Sequence, residues 1–255
     1  MKIKRFALAA VGCLTALSLA ALVACGDGDG EGGGNGSLTK AQLGEWTVDR
    51  TAPAAFDVDE SKGTVTVTTD PSAANGEDGY NYNAYQGKAA SVTMEASDAW
   101  EMTTSLAVTD EMIEGRVSTS VWLDVSLADG TSVDWAIIHF GKAVSKDGTV
   151  AAEAGWSYWN SDSESGGWVE ADGIAAEAGT HELSVAFADG KITVTIGGEE
   201  AASYALQADG AAVAECKVSR VIVQAYCFGS AEEDAYSAVW GIPSVSYAAE
   251  GGAQE

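Results

Sequence analysis

Apolar and polar residues alternate along most of this chain. Thr64-Val65-Thr66-Val67-Thr68 opens the series, and a period of two is the signature of a strand with one buried face. From Trp100 to Val108, the residues Trp100, Met102, Thr104, Leu106 and Val108 fall on one face. From Val117 to Leu127, the corresponding set is Val117, Thr119, Val121, Leu123, Val125 and Leu127. Asp129-Gly130 then marks a tight turn, because that pair tolerates positive φ. Val133 to Phe140 is apolar on both faces, as in a central strand. Leu183 to Phe187 and Ile192 to Ile196 flank Asp189-Gly190 and predict a hairpin. Ala154 to Asn160 and Trp168 to Asp172 predict another. Val218 to Tyr226 and Tyr236 to Tyr247 predict the last long strands, with Pro243 confining the latter to an edge or a bulge. Asp110 to Glu114 predicts one helical turn, and Gln207 to Ala214 a short helix or loop. No segment carries a sustained helical stripe. About twelve strands at this spacing predict an all-β fold, an antiparallel β-sandwich or jelly roll.

The start of the chain breaks this rhythm. Met1-Lys2-Ile3-Lys4-Arg5 is cationic, and an apolar run from Phe6 to Ala24 follows, the anatomy of a secretory signal. Leu22-Val23-Ala24-Cys25 resembles the lipobox of bacterial lipoproteins. That resemblance implies cleavage before Cys25 and acylation of its sulfur and new amino terminus, with more than one acyl chain giving stable anchoring. Gly26 to Ser37 alternates glycine with Asp27, Asp29 and Glu31, but lacks the spacing and distal glutamate of a calcium loop. It reads as a flexible, charged tether. The expected organisation is a lipoprotein signal peptide at 1–24, a lipidated cysteine and linker at 25–45, a sandwich domain at 46–248 and a disordered tail at 249–255. The protein is thus expected to be exported and lipid-anchored to a bacterial cell membrane, facing outside the cytoplasm.

Gly179 to Gly198, with His181-Glu182-Leu183-Ser184-Val185 turning at Asp189-Gly190 into Ile192-Thr193-Val194, resembles a hairpin of the concanavalin A-like, laminin-G-like jelly rolls. Ser219 to Tyr226 and Val239 to Tyr247 are similar to the closing strands of such domains. The resemblance covers residues 56–248 and implies two stacked antiparallel sheets, one of them concave. Catalytic members of that superfamily often carry Glu-x-Asp-x-x-Glu on one strand. Here Glu170-Ala171-Asp172 supplies two of those acids and the third is missing.

Charge narrows the partners. The chain carries −25, and the leader holds three of its thirteen basic residues and no acid, so the exported part is near −28. Such a charge repels phosphate backbones, excluding nucleic acid, and repels anionic lipid, leaving membrane association to the anchor. Of four cysteines, Cys13 leaves with the signal and Cys25 carries lipid. Cys216 and Cys227 flank a strand whose ends would lie roughly 30 Å apart if straight. A disulfide would need a bend between them, and two buried free thiols are the alternative.

Chemistry is sparse. His139 and His181 are the two histidines, each read as packed and hydrogen-bonded, and neither HExxH nor GxSxG is present. No metal ligand set stands out, although calcium suits the acidity and the fold that the resemblance implies. Three tryptophans and a tyrosine crowd into Gly155 to Trp168. In a hairpin Trp156 and Tyr158 share one face, and Trp168, Glu170 and Asp172 share one face, with Trp159 pointing the other way. Large aromatics also fill sandwich cores, so one side of this hairpin suits packing and the other a ligand. Sugars bind where aromatic faces meet acids and amides, so Trp156, Tyr158, Trp168, Glu170 and Asp172 are the candidate ligand residues. Tyr80 and Tyr82, set among Gly, Asp and Asn, join them. The expected function is non-catalytic binding of an extracellular glycan. The alternatives are a glycan hydrolase or lyase using Glu164, Glu170 or Asp172, and a structural lipoprotein with an envelope protein as partner.

Overall fold

β-Branched residues and aromatics at every second position make extended, half-buried strands the favourable local state. The structure, a computed structural model, describes residues 38–73, 85–142, 151–160, 167–226 and 234–249, all within the compact unit Gly36–Glu255. The first strands are β1 (Leu38–Lys40), β2 (Gln42–Leu43), β3 (Thr47–Val48), β4 (Ala55–Asp59) and β5 (Thr64–Thr68). β6 (Gln86–Thr93), β7 (Ala99–Val108), the single-turn helix α1 (Asp110–Ile113), β8 (Ser118–Ser126) and β9 (Ser132–Gly141) follow. Then come β10 (Gly155–Trp159), β11 (Trp168–Glu170), β12 (Gly179–Ala188), β13 (Lys191–Ile196) and β14 (Glu199–Ala205). The chain closes with β15 (Gln207–Ala208), β16 (Ala211–Ala212), β17 (Lys217–Tyr226), β18 (Ser237–Gly241) and β19 (Ser244–Ala248).

Two antiparallel sheets face each other. One runs β14-β13-β12-β7-β18-β5-β4, with β1 and β19 attached; the other runs β11-β10-β9-β8-β17-β6-β2, with β3 beside β6. The chain passes between the layers at β6, β7 and β8, as a jelly roll requires. Along β7 every second residue is buried, from Trp100 to Val108, as the alternation predicts. β8, β9 and β17 are buried on both faces over most of their length. One face meets the other sheet through Val121, Ile138, Phe140 and Val223, against Met102, Leu106, Phe187 and Trp240. Burial of each such side chain is worth about 1.5–3 kcal/mol.

Buried polar atoms tie the layers together. Trp240 Nε1 donates to Thr119 Oγ1 at 2.8 Å, and Thr119 Oγ1 donates to the Gln224 carbonyl at 2.7 Å. The Tyr204 hydroxyl donates to Asp134 at 2.8 Å. Cys216 is a free, buried thiol whose sulfur accepts from Trp100 Nε1 at 3.3 Å. Burial pushes its pKa up to about 12, so it is a packing residue. Cys227 lies outside the described residues, as do Cys13, Cys25 and the Gly26 to Ser37 stretch.

Local chemistry accounts for the connections. Asp189 and Gly190 adopt φ of 51° and 72°, the two-residue turn that matches strand twist. Thr109 caps α1 by accepting from the Met112 N–H. Pro243 lies between β18 and β19, which both pair with β7; the strand predicted from 236 to 247 is therefore two strands. Gln207 to Ala214 is neither helix nor loop. It forms the small hairpin β15–β16, because Asp209 and Gly210 take the same positive-φ turn. The fold also starts before residue 46. β1 pairs with β19, β2 pairs with β6, and Ala41 between them is buried.

Candidate functional site

Side chains on the second face of the eight-stranded sheet point away from the inter-sheet core. Strand register arranges them in rows. Gln224 on β17 sits opposite Ser120 on β8, Ser120 opposite His139 on β9, His139 opposite Ser157 on β10, and Ser157 opposite Glu170 on β11. Five strands thus contribute one polar residue each to a continuous line. The next row is apolar: Ala89, Ile222, Trp122 and Ile137, then Trp159 opposite Trp168. On the other side, Tyr226 sits opposite Ser118, and Gly141 opposite Gly155.

Hydrogen bonds join Gln224 to Ser120 at one end of the polar row and His139 to Ser157 at the other. Arg50 Nη1 donates to Gln224 Oε1 at 3.3 Å, and Gln224 Nε2 donates to Ser120 Oγ at 3.1 Å. Trp122 Nε1 donates to the same hydroxyl at 2.8 Å. His139 Nδ1 and Ser157 Oγ are hydrogen-bonded at 2.8 Å. The imidazole stacks on Tyr226 with ring centres 5.7 Å apart and an interplanar angle of 15°, and tilts against Trp168 at 5.2 Å. Arg50 lies over Trp122 at 4.4 Å and over Tyr85 at 5.1 Å, close enough for attraction to both ring faces. His139, Ser120 and Gln224 are buried. Removal from water penalises the imidazolium and pushes the pKa of His139 down to about 3, so the ring is neutral near pH 7.

A cavity of about 280 Å³ opens at the β11 end of this row. Gly141, Gly155, Ser157, Glu170 and Asp172 are among its lining residues, with Glu153 and Trp156 beside them. Glycine at 141 is required: its φ is 130°, and a Cβ there would run into Ser118. Ser157, whose hydroxyl contacts His139, is thus a lining residue of the cavity, together with the exposed carboxylates of Glu153, Glu170 and Asp172. Among the described residues, no three of His, Cys, Asp and Glu gather to hold a metal ion.

The hairpin predicted around Trp156 exists, but its aromatics divide between two faces. Trp156 is buried against Phe140 and His181 in the inter-sheet core, and Tyr158 packs on the same side. They do not form one platform with Trp168. On the sheet's other face, Trp159 meets Trp168 edge to face at 5.4 Å. Period two puts 157 and 159 opposite to 156 and 158, and the register pairs Trp159 with Trp168. Glu170 shares that face, and Asp172 follows at the cavity rim. Burial, then the charge of Asp172, raises the pKa of the Tyr158 phenol. Tyr80, Tyr82 and Glu164 lie outside the described residues. His181 is half-buried and donates from Nε2 to the Glu177 carbonyl at 2.9 Å. His139 is packed, as expected, but it also stands at the centre of the polar row. Sequence reading missed Arg50, Ser120, Trp122, Gln224 and Tyr226. A faint signal existed, since Ser118, Ser120 and Gln224 interrupt strands that are otherwise apolar on both faces.

No family model matches this chain, and no curated protein matches it in sequence. Among solved structures, it is similar to a β-glucanase of Bacillus licheniformis at 11% identity and TM-score 0.44, over 84% of this chain and 99% of that one. It is also similar to the alginate lyase Aly36B at 11% identity and TM-score 0.42, over 72% of this chain and 80% of that one. A third similar structure is the alginate lyase AlyC3 in complex with dimannuronate, at 7% identity and TM-score 0.47, over 77% of this chain and 79% of that one. These neighbours are glycan-processing enzymes by their descriptions; likeness at this level concerns sheet layout and carries nothing about chemistry. Two facing antiparallel sheets with chain crossings between them make this protein an all-β sandwich of the jelly-roll kind.

Proposed function

We propose that this protein processes a glycan on the outer face of its eight-stranded sheet, by lyase-type proton transfer. The observation that carries the reading is the row Gln224–Ser120–His139–Ser157, which centres on a neutral imidazole and ends at an open cavity. Eliminative cleavage of a uronic-acid chain needs a base to take the proton beside the carboxyl group and an acid to protonate the departing oxygen. It also needs donors for the carboxylate, whose charge grows during the step. Burial keeps His139 unprotonated, but a pKa near 3 also makes it a weak base, so in this role it relies on the hydroxyl of Ser157 and the phenol of Tyr226 beside it. Tyr226, stacked on it, is a phenol that can donate. Arg50 and Gln224 supply N–H donors. Hydrolysis by paired carboxylates fits less well: Glu170 and Asp172 are exposed, whereas a glycosidase acid sits in apolar surroundings.

The test is ultraviolet absorbance of unsaturated product ends, with alginate and other uronic-acid polymers as substrates. Native protein should generate the signal, and His139→Ala should lower turnover by about 10²–10⁴, the usual range for a lost acid–base group. A second reading is non-catalytic binding. The buried, internally bonded row favours it, because such a network rigidifies a surface without reacting. Affinity electrophoresis that shows retardation without any unsaturated product would select this second reading over the first.

We further propose export and anchoring through Cys25, on the strength of the cationic start, the apolar run and Leu22-Val23-Ala24-Cys25. Mass spectrometry of the membrane fraction should find acyl chains on Cys25, and Cys25→Ser should release the protein from it. Unmodified Cys25 on an intact leader would refute the anchor.

A further inference from the structure

The outer face does not end at the aromatic row. One step further along the strands, Arg220 on β17 sits opposite Asp124 on β8, and Asp124 opposite Trp135 on β9. Unlike the neighbouring rows, this one is open to solvent. Trp135 is 45% exposed, the most exposed tryptophan among the described residues. Exposing so large an apolar ring on a sheet otherwise packed on both faces is costly, and an exposed aromatic beside polar groups is where a sugar ring stacks. The Arg220 side chain is also 45% exposed, yet it is fixed: Nε donates to Asp124 at 2.7 Å and Nη1 to Asp49 at 3.3 Å. A guanidinium carries five donors, more than these two bonds use. A stacking surface and pre-oriented donors therefore lie in one row across β9, β8 and β17, with Asp124 between them.

We propose that Trp135, with Arg220 and Asp124, forms a second glycan subsite, and that the protein takes long chains rather than single sugars or dimers. The proposal rests on the glycan reading of the outer face and adds length selection to it. Trp135 lies four residues from His139 on β9, about 14 Å at strand rise. That span exceeds one sugar ring, so a ligand touching both rows must be an oligomer. The glycan then runs along the strands, its ring faces on Trp135 and its hydroxyl or carboxylate oxygens on Arg220.

The experiment is calorimetric titration of the whole protein with alginate polymer, alginate disaccharide and a β-glucan polymer, for native protein, Trp135→Ala and Trp135→Phe. Trp135 is solvent-exposed, so both variants should fold, and their thermal melts check this. Trp135→Ala should weaken polymer binding about tenfold, the scale of one lost ring contact, and leave disaccharide binding within about twofold of native. Trp135→Phe should restore most of the polymer affinity. Equal affinities in native and Trp135→Ala protein, or equal losses for polymer and disaccharide, would overturn the second subsite alone. Native protein that binds none of the three glycans would overturn the glycan reading of this face, and the subsite with it.

Discussion

His139 concentrates the chemistry of the outer face, and its titration is measurable. Its pKa is near 3 in the fold, against about 6.5 in an unfolded chain. The unfolded state therefore takes up a proton that the folded state refuses. Stability contributed by the neutral ring is complete above pH 6.5 and is lost as pH falls towards 3. The amount is on the order of 5 kcal/mol, since one pKa unit is worth about 1.4. Thermal melts between pH 7 and pH 4 should show native protein losing more Tm than His139→Gln, and parallel curves would refute the assignment. Gly167 is a second sensitive point. Its φ is 137°, and a Cβ there would meet the Trp159 ring. Gly167→Ala should cost more than about 1 kcal/mol and should shift tryptophan emission as Trp159 moves off Trp168. Unchanged emission and urea midpoint would count against this packing.

Paired strands explain why the site's members are far apart in sequence. Gln224 and Ser120 are 104 residues apart, yet directly opposed. The hairpins that set the register depend on a few turn residues. At Asp189-Gly190 both φ values are positive, so Gly190→Ala should destabilise the β12–β13 hairpin by about 1 kcal/mol. A denaturant midpoint equal to native would contradict that turn geometry. The hairpin β10–β11 shows what alternation alone leaves open. It predicts two faces but not which face meets the second sheet, because aromatic residues occupy both. Trp156 and Tyr158 turn inward, and Trp159 joins Trp168 outside.

Taken whole, the sandwich is closed partly by its first residues. β1 and β2 join different sheets, and Ala41 passes between them with its N–H on the Val245 carbonyl at 2.9 Å. Composition reads this stretch as linker, because the segment is short and half polar. A chain starting at Leu38 should therefore melt roughly 5–10 °C above one starting at Trp46, at about 2–4 °C per kcal/mol for a domain of this size. Equal melting temperatures would refute this closing role for residues 38–45.

Alternation, Asp-Gly turns and the absence of a helical stripe determined the all-β fold, most strand positions and the hairpin at Asp189-Gly190. These features are local, each set by side-chain period or backbone preference within a few residues. The net charge is equally legible, because it is a property of composition. The outer-face row was decided by tertiary structure alone. Ser120, His139, Ser157 and Gln224 are unremarkable in sequence, and only inter-strand register, set by the packing of the opposite face against the second sheet, brings them into line. The same packing buried Trp156, uncovered Trp135 and drew residues 38–43 into the fold, since which face of a strand meets the core depends on the partner it pairs with.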